Sequence, residues 1–327
     1  MLDTLLRKLY HCCLTLFIVS ISCGYSLAGE TILVSVDSVG NKGNSYSVDP
    51  SISADGRFVA FYSDATNLVP EDTNGALDIF VTDLITKTSS RVSVSSEGQQ
   101  ANADSYYPSI SADGRYVVFT SVANNIVSGD TNNKEDVFVH DRDTKITKRV
   151  SVGPSGKQAN NLSGHNWYSD ISADGRFIVF DSAASNLVPG YTNHTTDIFV
   201  HDLVTKTTRR ISLGQDGTQA DGASFEPSIS ESGRFVAFSS AATNLVPGDK
   251  NTNDDIFVYD RLDKSTKRIN TGASLEESNR SSRDPNISAN GRFIVFSSWA
   301  TNLVAGGTLI MIQTFSSMTS LPTKPHG

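Results

Sequence analysis

From Ser47 onward the chain alternates short apolar runs with turn residues, and the runs come in sets of four. In the first set, Pro50-Ser51-Ile52-Ser53 leads through Asp55-Gly56 into Arg57 to Tyr62, where Phe58, Ala60 and Tyr62 point one way and Val59 and Phe61 the other. Both parities are apolar, which predicts a strand covered on both faces. Asp-Gly accepts the positive φ of a tight hairpin turn. Asp78-Ile79-Phe80-Val81 follows as a third short strand. The fourth, Ser90-Arg91-Val92-Ser93-Val94, alternates polar with apolar as an outer, half-exposed strand does. The linker Asp83-Leu84-Ile85-Thr86-Lys87-Thr88 opens on an Asx acceptor and reads as a turn. One set therefore predicts a four-stranded antiparallel meander.

The set recurs in register. Its hairpin glycine stands at Gly56, Gly114, Gly175, Gly233 and Gly291, at a constant spacing except before Gly175, where three positions are added. Asn67, Asn125, Asn186, Asn244 and Asn302 follow at one fixed offset from each glycine, and Asp78, Asp136, Asp197 and Asp255 open the third strand of the first four copies. The added positions of the third copy fall in the loop through Gly164-His165-Asn166-Trp167. The copies run over about 47–95, 105–152, 166–213, 224–271 and 282–305. Each thin sheet can bury its faces only against its neighbours, so the pattern predicts an all-β chain, a β-propeller of four-stranded antiparallel blades with five visible and the last incomplete. An open β-solenoid is the rival layout, although its repeats are usually shorter and its coils pair in parallel. Thr31-Ile32-Leu33-Val34-Ser35-Val36 resembles a fourth strand but precedes the first copy, as expected if the N-terminus completes the final blade.

Pro-Ser-Ile-Ser-x-Asp-Gly-Arg-Phe-Val-x-Phe followed by Asp-Ile-Phe-Val-x-Asp resembles the WD40-like (PD40) repeat of TolB-like β-propellers, from about Ser47 to Val304. The resemblance implies the fold. It leaves function open, because the family runs from periplasmic transport-associated proteins to the propeller domains of peptidases.

Composition adds an address and removes some chemistry. Arg7 and Lys8, an apolar run from Leu9 to Ile21 and Ser26-Leu27-Ala28 predict a signal peptide over 1–28, followed by the propeller over 29–305. The run is shorter than the roughly 20 residues of a spanning helix, so no transmembrane span is expected in the mature chain, which would be periplasmic, secreted or at the cell surface. A lipoprotein reading would use Cys23. Cys12, Cys13 and Cys23 all lie in this leader, leaving no thiol for a disulfide, zinc site or nucleophile beyond it. Removing Asp3, Arg7 and Lys8 from the 35 acidic and 27 basic residues leaves 34 against 25, a net charge of −9 that disfavours nucleic acid and anionic lipid.

After Val304 the pattern stops, although the spacing predicts Asp-Ile-Phe-Val near Gln313. A shifted reading from Leu309, with permitted codons, spells Asp-Tyr-Asp-Ser-Asp-Ile-Phe-Val-His-Asp-Leu in phase with the repeat. Residues 306–327 are accordingly expected to be an aberrant, frameshifted tail, which would leave the fifth blade two strands. Codons in the gene that cannot spell the motif would end that expectation.

The candidate chemistry is sparse. Asp72, Asn74 and Asp78, with Asp130, Asn132, Asp136 and Asp249, Asn251, Asp255, place oxygens at alternate loop positions, a pattern suited to calcium. The alternative is Asx-turns that cap each loop. In the third copy Tyr191 replaces the first Asp. His140 and His201 hold a position occupied by Thr82 and Tyr259 elsewhere, and are expected to be strand-surface residues without a metal role. Arg57, Arg115, Arg176, Arg234 and Arg292 are expected to pair with acids of a neighbouring blade. Trp167 and Tyr168 could pack, or stack on a sugar at the rim. No Gly-x-Ser-x-Gly elbow, His-Glu-x-x-His or phosphate loop is present. The expected function is a non-catalytic scaffold that binds protein or polysaccharide and needs no cofactor. The alternatives are a propeller enzyme acting on glycans or peptides, or a calcium-dependent adhesin.

Overall fold

A computed structural model describes residues 31–164, 168–190, 193–272 and 274–304, with the backbone of Ile310–Thr314. The signal peptide expected over 1–28, most of the tail and the added positions 165–167 lie outside the described residues. The sheets all belong to one unit, Val34–Gly327, distinct from Met1–Leu33. Among the described residues no helix is long and apolar enough to cross a membrane.

Five antiparallel sheets follow one another along the chain. Blade 1 holds β1 (Ser47–Ile52), β2 (Phe58–Ser63), β3 (Asp78–Asp83) and β4 (Thr88–Arg91) in that order. Blade 2 holds β5 (Ser105–Ile110), β6 (Tyr116–Ser121), β7 (Asp136–Asp141) and β8 (Ile146–Arg149). Blade 3 holds β9 (Ser169–Ile171), β10 (Phe177–Ser182), β11 (Asp197–Asp202) and β12 (Thr207–Arg210). Blade 4 holds β13 (Ser224–Ile229), β14 (Phe235–Ser240), β15 (Asp255–Asp260) and β16 (Ser265–Arg268). Blade 5 holds β17 (Ser282–Ile287), β18 (Phe293–Ser298) and β19 (Ile310–Thr314). Sequential order within each sheet and stacking of sheet on sheet make this a β-propeller.

Register explains why the repeat tolerates little variation in its second and third strands. Phe61 faces Phe80 across β2 and β3, and their rings stack with centroids 6.0 Å apart. The same pair recurs as Phe119 with Phe138, Phe180 with Phe199 and Phe238 with Phe257. The other face of β2 serves the next blade: Ala60, Ile79 and Val81 are buried with Ile110, Val117 and Phe119 of blade 2 in one cluster. Equivalent clusters join blades 2 and 3, 3 and 4, and 4 and 5. The core is thus a series of inter-sheet layers.

Blade 5 departs from the repeat at its third strand. Phe58 at the start of β2 pairs with Asp83 at the end of β3, whereas its counterpart Phe293 pairs with Thr314, so the chain returns sooner in blade 5 than in blade 1. Backbone of the tail therefore lies beside β18, where the sequence leads one to expect only two strands, but out of phase with the third strands of the other blades. Strand pairing is made by backbone groups, so a segment that lacks the repeat's motif can occupy a third-strand place.

Candidate functional site

Two layers of polar residues could carry function: the loops before each third strand, and the channel ringed by the five first strands.

The loops are closed by arginine. Arg91 Nη1 lies 2.9 Å from Asp72 and 3.0 Å from Asp78, while Asn74 Nδ2 donates to Asp78 at 2.8 Å and to the Ala101 carbonyl at 2.9 Å. The Ser93 hydroxyl completes Asp78 at 2.5 Å. Blade 2 repeats the arrangement, with Arg149 at 3.3 Å from Asp130 and 3.2 Å from Asp136, and Asn132 donating to Asp136 at 3.0 Å. In blade 4, Arg268 reaches Asp249 at 3.1 Å, Asp255 at 3.4 Å and Glu277 at 3.2 Å, and Asn251 donates to Asp255 at 3.3 Å. A guanidinium thus stands where the calcium reading would put an ion. Among the described residues, no cluster of three or more acidic, histidine or cysteine side chains has the spacing of a metal site. Burial raises the pKa of Asp72, Asp130, Asp136 and Asp249, and pushes Asp255 up to about 6. These carboxylates are held in place by hydrogen bonds and by a partly buried cation.

Two sequence expectations about neighbouring residues are corrected. Four of the five repeated arginines pair within their own blade: Arg57 meets Asp83 at the end of β3 at 2.7 Å, and Arg115, Arg176 and Arg234 meet Asp141, Asp202 and Asp260 at 2.7, 2.8 and 2.7 Å. The hairpin places the start of the second strand directly beside the end of the third, nearer than any acid of the next blade. His140 and His201 are buried at 3% and 4% exposure, not on the strand surface. Their Nδ1 atoms lie 2.8 and 3.0 Å from the hydroxyls of Thr147 and Thr208, and burial brings each pKa down to about 4.

The channel is the built cavity of the fold. It encloses about 690 Å³ and is lined by three successive residues from each blade. At the outermost of the three positions stand Asp49, Tyr107, Tyr168, Glu226 and Asp284. Next come Pro50, Pro108, Ser169, Pro227 and Pro285, then Ser51, Ser109, Asp170, Ser228 and Asn286. Proline suits an innermost edge strand, where its missing N–H has no ladder partner to lose. A bulge precedes Ser51, Ser109, Ser228 and Asn286, and the residue before each proline adopts a left-handed φ: 48° at Asp49, 55° at Tyr107, 58° at Glu226 and 54° at Asp284. For non-glycine residues such backbone costs about 1–3 kcal/mol each and is concentrated at functional sites.

The lining has a definite electrostatic character. Four carboxylates, Asp49, Asp170, Glu226 and Asp284, share it with two tyrosines, and no lysine or arginine is among the lining residues. Asp170 is the most constrained. It accepts from the Ser109 hydroxyl at 2.8 Å, from its neighbour Ile171 N at 2.8 Å and from Ile229 N at 2.9 Å. Burial nevertheless raises its pKa, and likewise that of Glu226, which accepts from Ser239 Oγ at 2.8 Å and Asp284 N at 2.9 Å. Ser169, in the place of the other blades' proline, is 5% exposed and its hydroxyl has no hydrogen-bond partner among the described residues. Tyr168, one of the two aromatic candidates, lines this cavity at 43% exposure, whereas Trp167 lies outside the described residues.

Sequence reasoning looked for acids in the loops before the third strands and named only Tyr168 of this site. The position at one fixed offset before each hairpin glycine reads Asp, Tyr, Tyr, Glu, Asp, and its variability beside an unvarying frame was the available signal.

No protein-family model matches the chain, and no curated protein sequence does. Among solved structures it is similar to TolB from Acinetobacter baumannii, at 18% identity over 83% of this chain and 55% of that one, with a TM-score of 0.45. A TolB structure from Agrobacterium tumefaciens matches at 16% identity over 80% of this chain and 73% of that one, TM-score 0.48. An oligogalacturonate lyase in complex with manganese matches at 14% identity over 83% and 65%, TM-score 0.48. The chain spans about half the length of the Acinetobacter protein. The strand order and register described above establish the propeller by themselves.

Proposed function

We propose that this protein is an extracytoplasmic binding propeller that receives a positively charged segment of a partner protein at the mouth of its channel. One observation carries the reading: a cavity of about 690 Å³ in which four carboxylates and two tyrosines converge without a single basic side chain. A lysine, arginine or free amino terminus entering there would gain ion pairing with Asp49, Glu226 and Asp284 and the faces of Tyr107 and Tyr168. The buried, unpartnered hydroxyl of Ser169 offers a further polar contact. The strained residues at Asp49, Tyr107, Glu226 and Asp284 set these groups before a ligand arrives, which lowers the cost of ordering them.

Binding is favoured over catalysis because both oxygens of Asp170 are taken by donors from three blades, which leaves it a holding rather than a reacting group. Export by residues 1–28 fits a role outside the cytoplasm. Calorimetric titration of the purified chain with a tetra-arginine peptide, at low and at physiological salt, tests the proposal. Binding that weakens at least about tenfold in the Glu226→Gln/Asp284→Asn variant, and that falls with salt, is expected. Equal binding by the variant, or binding of neutral oligosaccharide but not of the peptide, would move the function to another surface or ligand.

A further inference from the structure

A second cleft, of about 640 Å³, lies where blade 3 meets blade 4, walled by the outer strand β12 and the turn that follows β15. Its charge is opposite to that of the channel. Arg176, Arg209, Arg210, Arg261 and Lys264 line it against one carboxylate, Asp202, in a chain that carries 35 acidic residues to 27 basic. Two of these cations are engaged: Arg176 bonds Asp202 at 3.0 and 2.8 Å, and Arg210 bonds Asp197 at 3.2 Å and Gln219 at 3.0 Å. Arg209, Arg261 and Lys264 make no ion pair among the described residues. The acids nearest to them in sequence are already taken. Asp260 and Asp263, which flank Arg261, both bond Arg234, at 2.7 and 3.2 Å, and Asp216, beside the lining Gly217, accepts from the Thr218 hydroxyl at 2.6 Å.

Arg261 is fixed in the cleft while Arg209 and Lys264 stand exposed at its rim. Its Nη1 donates to the Gly233 carbonyl, and its guanidinium carbon lies 3.6 Å from the centroid of the Phe177 ring, over which Arg176 also lies at 4.7 Å. Burial lowers the pKa of Arg261; Asp202 opposes this, and the charges of Arg176 and Arg209 add to it. Like charges are thus gathered where water is partly excluded, an arrangement that an entering anion relieves.

The sister interfaces carry the parts of this cleft separately. Between blades 1 and 2, Arg57 and Arg142 share the Phe58 ring at 4.7 and 4.3 Å, but the place of Arg209 is held by Ser90. Between blades 2 and 3, Lys148 supplies the strand cation, but Leu203 stands where blade 4 has Arg261. Blades 3 and 4 bring the held guanidinium and the strand cation together.

We infer that this cleft binds a phosphorylated ligand carrying at least two negative charges. The three unpaired cations match such a ligand in charge, and guanidinium groups present parallel N–H donors to its oxygens. Tyr259, Leu213 and Pro189 give the remaining wall an apolar face that suits the carbon skeleton of a phosphate ester. A single carboxylate, with one charge and two oxygens, would leave most of these donors unused.

Calorimetric titration of the full chain at low ionic strength, with inorganic pyrophosphate and with glucose 1,6-bisphosphate as the probes, tests the inference. One-to-one binding is expected, weakened at least about tenfold by Arg209→Ser, by Arg261→Leu and by raised salt. Both substitutions install the residue that a sister blade carries at that position, so the fold should hold, as circular dichroism would show. Arg142→Leu, the same change between blades 1 and 2, should leave the affinity where it is. Tighter binding of the sugar bisphosphate assigns the phosphate to a saccharide, and tighter binding of pyrophosphate assigns it to a free polyphosphate; either supports the inference. It is overturned if neither probe binds, if binding ignores Arg209 and Arg261, if Arg142→Leu weakens it equally, or if tricarballylate, which has carboxylates and no phosphate, binds as tightly. None of these residues lines the channel, so the result stands apart from the channel's ligand.

Discussion

Ser109 of blade 2 donates its hydroxyl to Asp170 of blade 3 at 2.8 Å, across the wall of the channel. The other oxygen of Asp170 takes the Ile229 N–H of blade 4 at 2.9 Å, so one carboxylate joins three consecutive blades. In the sister interfaces a serine does part of this work: Ile110 N donates to Ser51 Oγ and Ile287 N to Ser228 Oγ, both at 3.2 Å. Asp170→Ala would strand these donors and should lower unfolding stability by about 2–4 kcal/mol. Asp170→Ser, which restores the residue of blades 1, 2 and 4, should recover at least half of that in a urea melt.

Gly114 and Gly56 share a φ of 72°, yet a Cβ on Gly114 would overlap the Phe58 ring and one on Gly56 meets open space. Gly56→Ala should therefore cost only about 1 kcal/mol, the left-handed backbone penalty. Gly114→Ala adds a clash inside a packed interface and should cost about 3 kcal/mol or more. Equal melting temperatures for the two variants would contradict the assigned packing.

Arg149 is 9% exposed in its side chain and holds two carboxylates that are more deeply buried than itself. Arg149→Met leaves Asp130 and Asp136 facing each other without a cation, for an expected loss of about 3–5 kcal/mol. With Arg91, Arg149 and Arg268 in place, millimolar calcium should leave the melting temperature of the unaltered protein where it is, as differential scanning calorimetry would record.

Acid should unfold the protein through groups of opposite sign. Burial opposes ionisation of Asp202, but the bond to Arg176 and two backbone N–H groups outweigh it and bring the pKa to about 2. Its contribution is complete above the ordinary carboxylate value and is lost as pH falls through 2; discounted for the half-exposed arginine, it is about 1 kcal/mol. His140 and His201, held to about 4, bind protons in the unfolded chain first, so stability also falls as pH drops from 6.5 to 4. Asp255, raised to about 6, acts oppositely: its share is full below 3.8 and is lost as pH rises through 6. Urea midpoints from pH 2 to 7 should show Asp202→Asn flattening the most acidic limb. Imidazole resonances of the two histidines should not titrate between pH 5.5 and 8.

The blades were legible in the chain because they are local. Asp55-Gly56, the doubly apolar Phe58–Tyr62 and the third-strand Asp78 lie within one repeat and recur at near-constant spacing, so strand number, order and register follow from them. The partners of charged side chains were less legible. Arg57 pairs with Asp83 of its own blade because the meander folds the start of β2 against the end of β3, and His140 is buried beside Thr147, whose hydroxyl reaches the Val94 carbonyl of blade 1. Neither fact is present in the spacing of one repeat.

The amino-acid sequence by itself determined a chain of four-stranded antiparallel units that can bury their faces only against one another, since strand period and turn chemistry act over a few residues. Only the tertiary structure decided what those units surround. The channel residues Asp49, Asp170, Glu226 and Asp284 are separated by about a repeat or more in sequence and meet because each first strand turns its edge to a common axis. Phe235 is 6% exposed and its counterpart Phe293 40% for the same reason: whether an apolar side chain is buried depends on which sheet stands beside it, not on its neighbours in sequence.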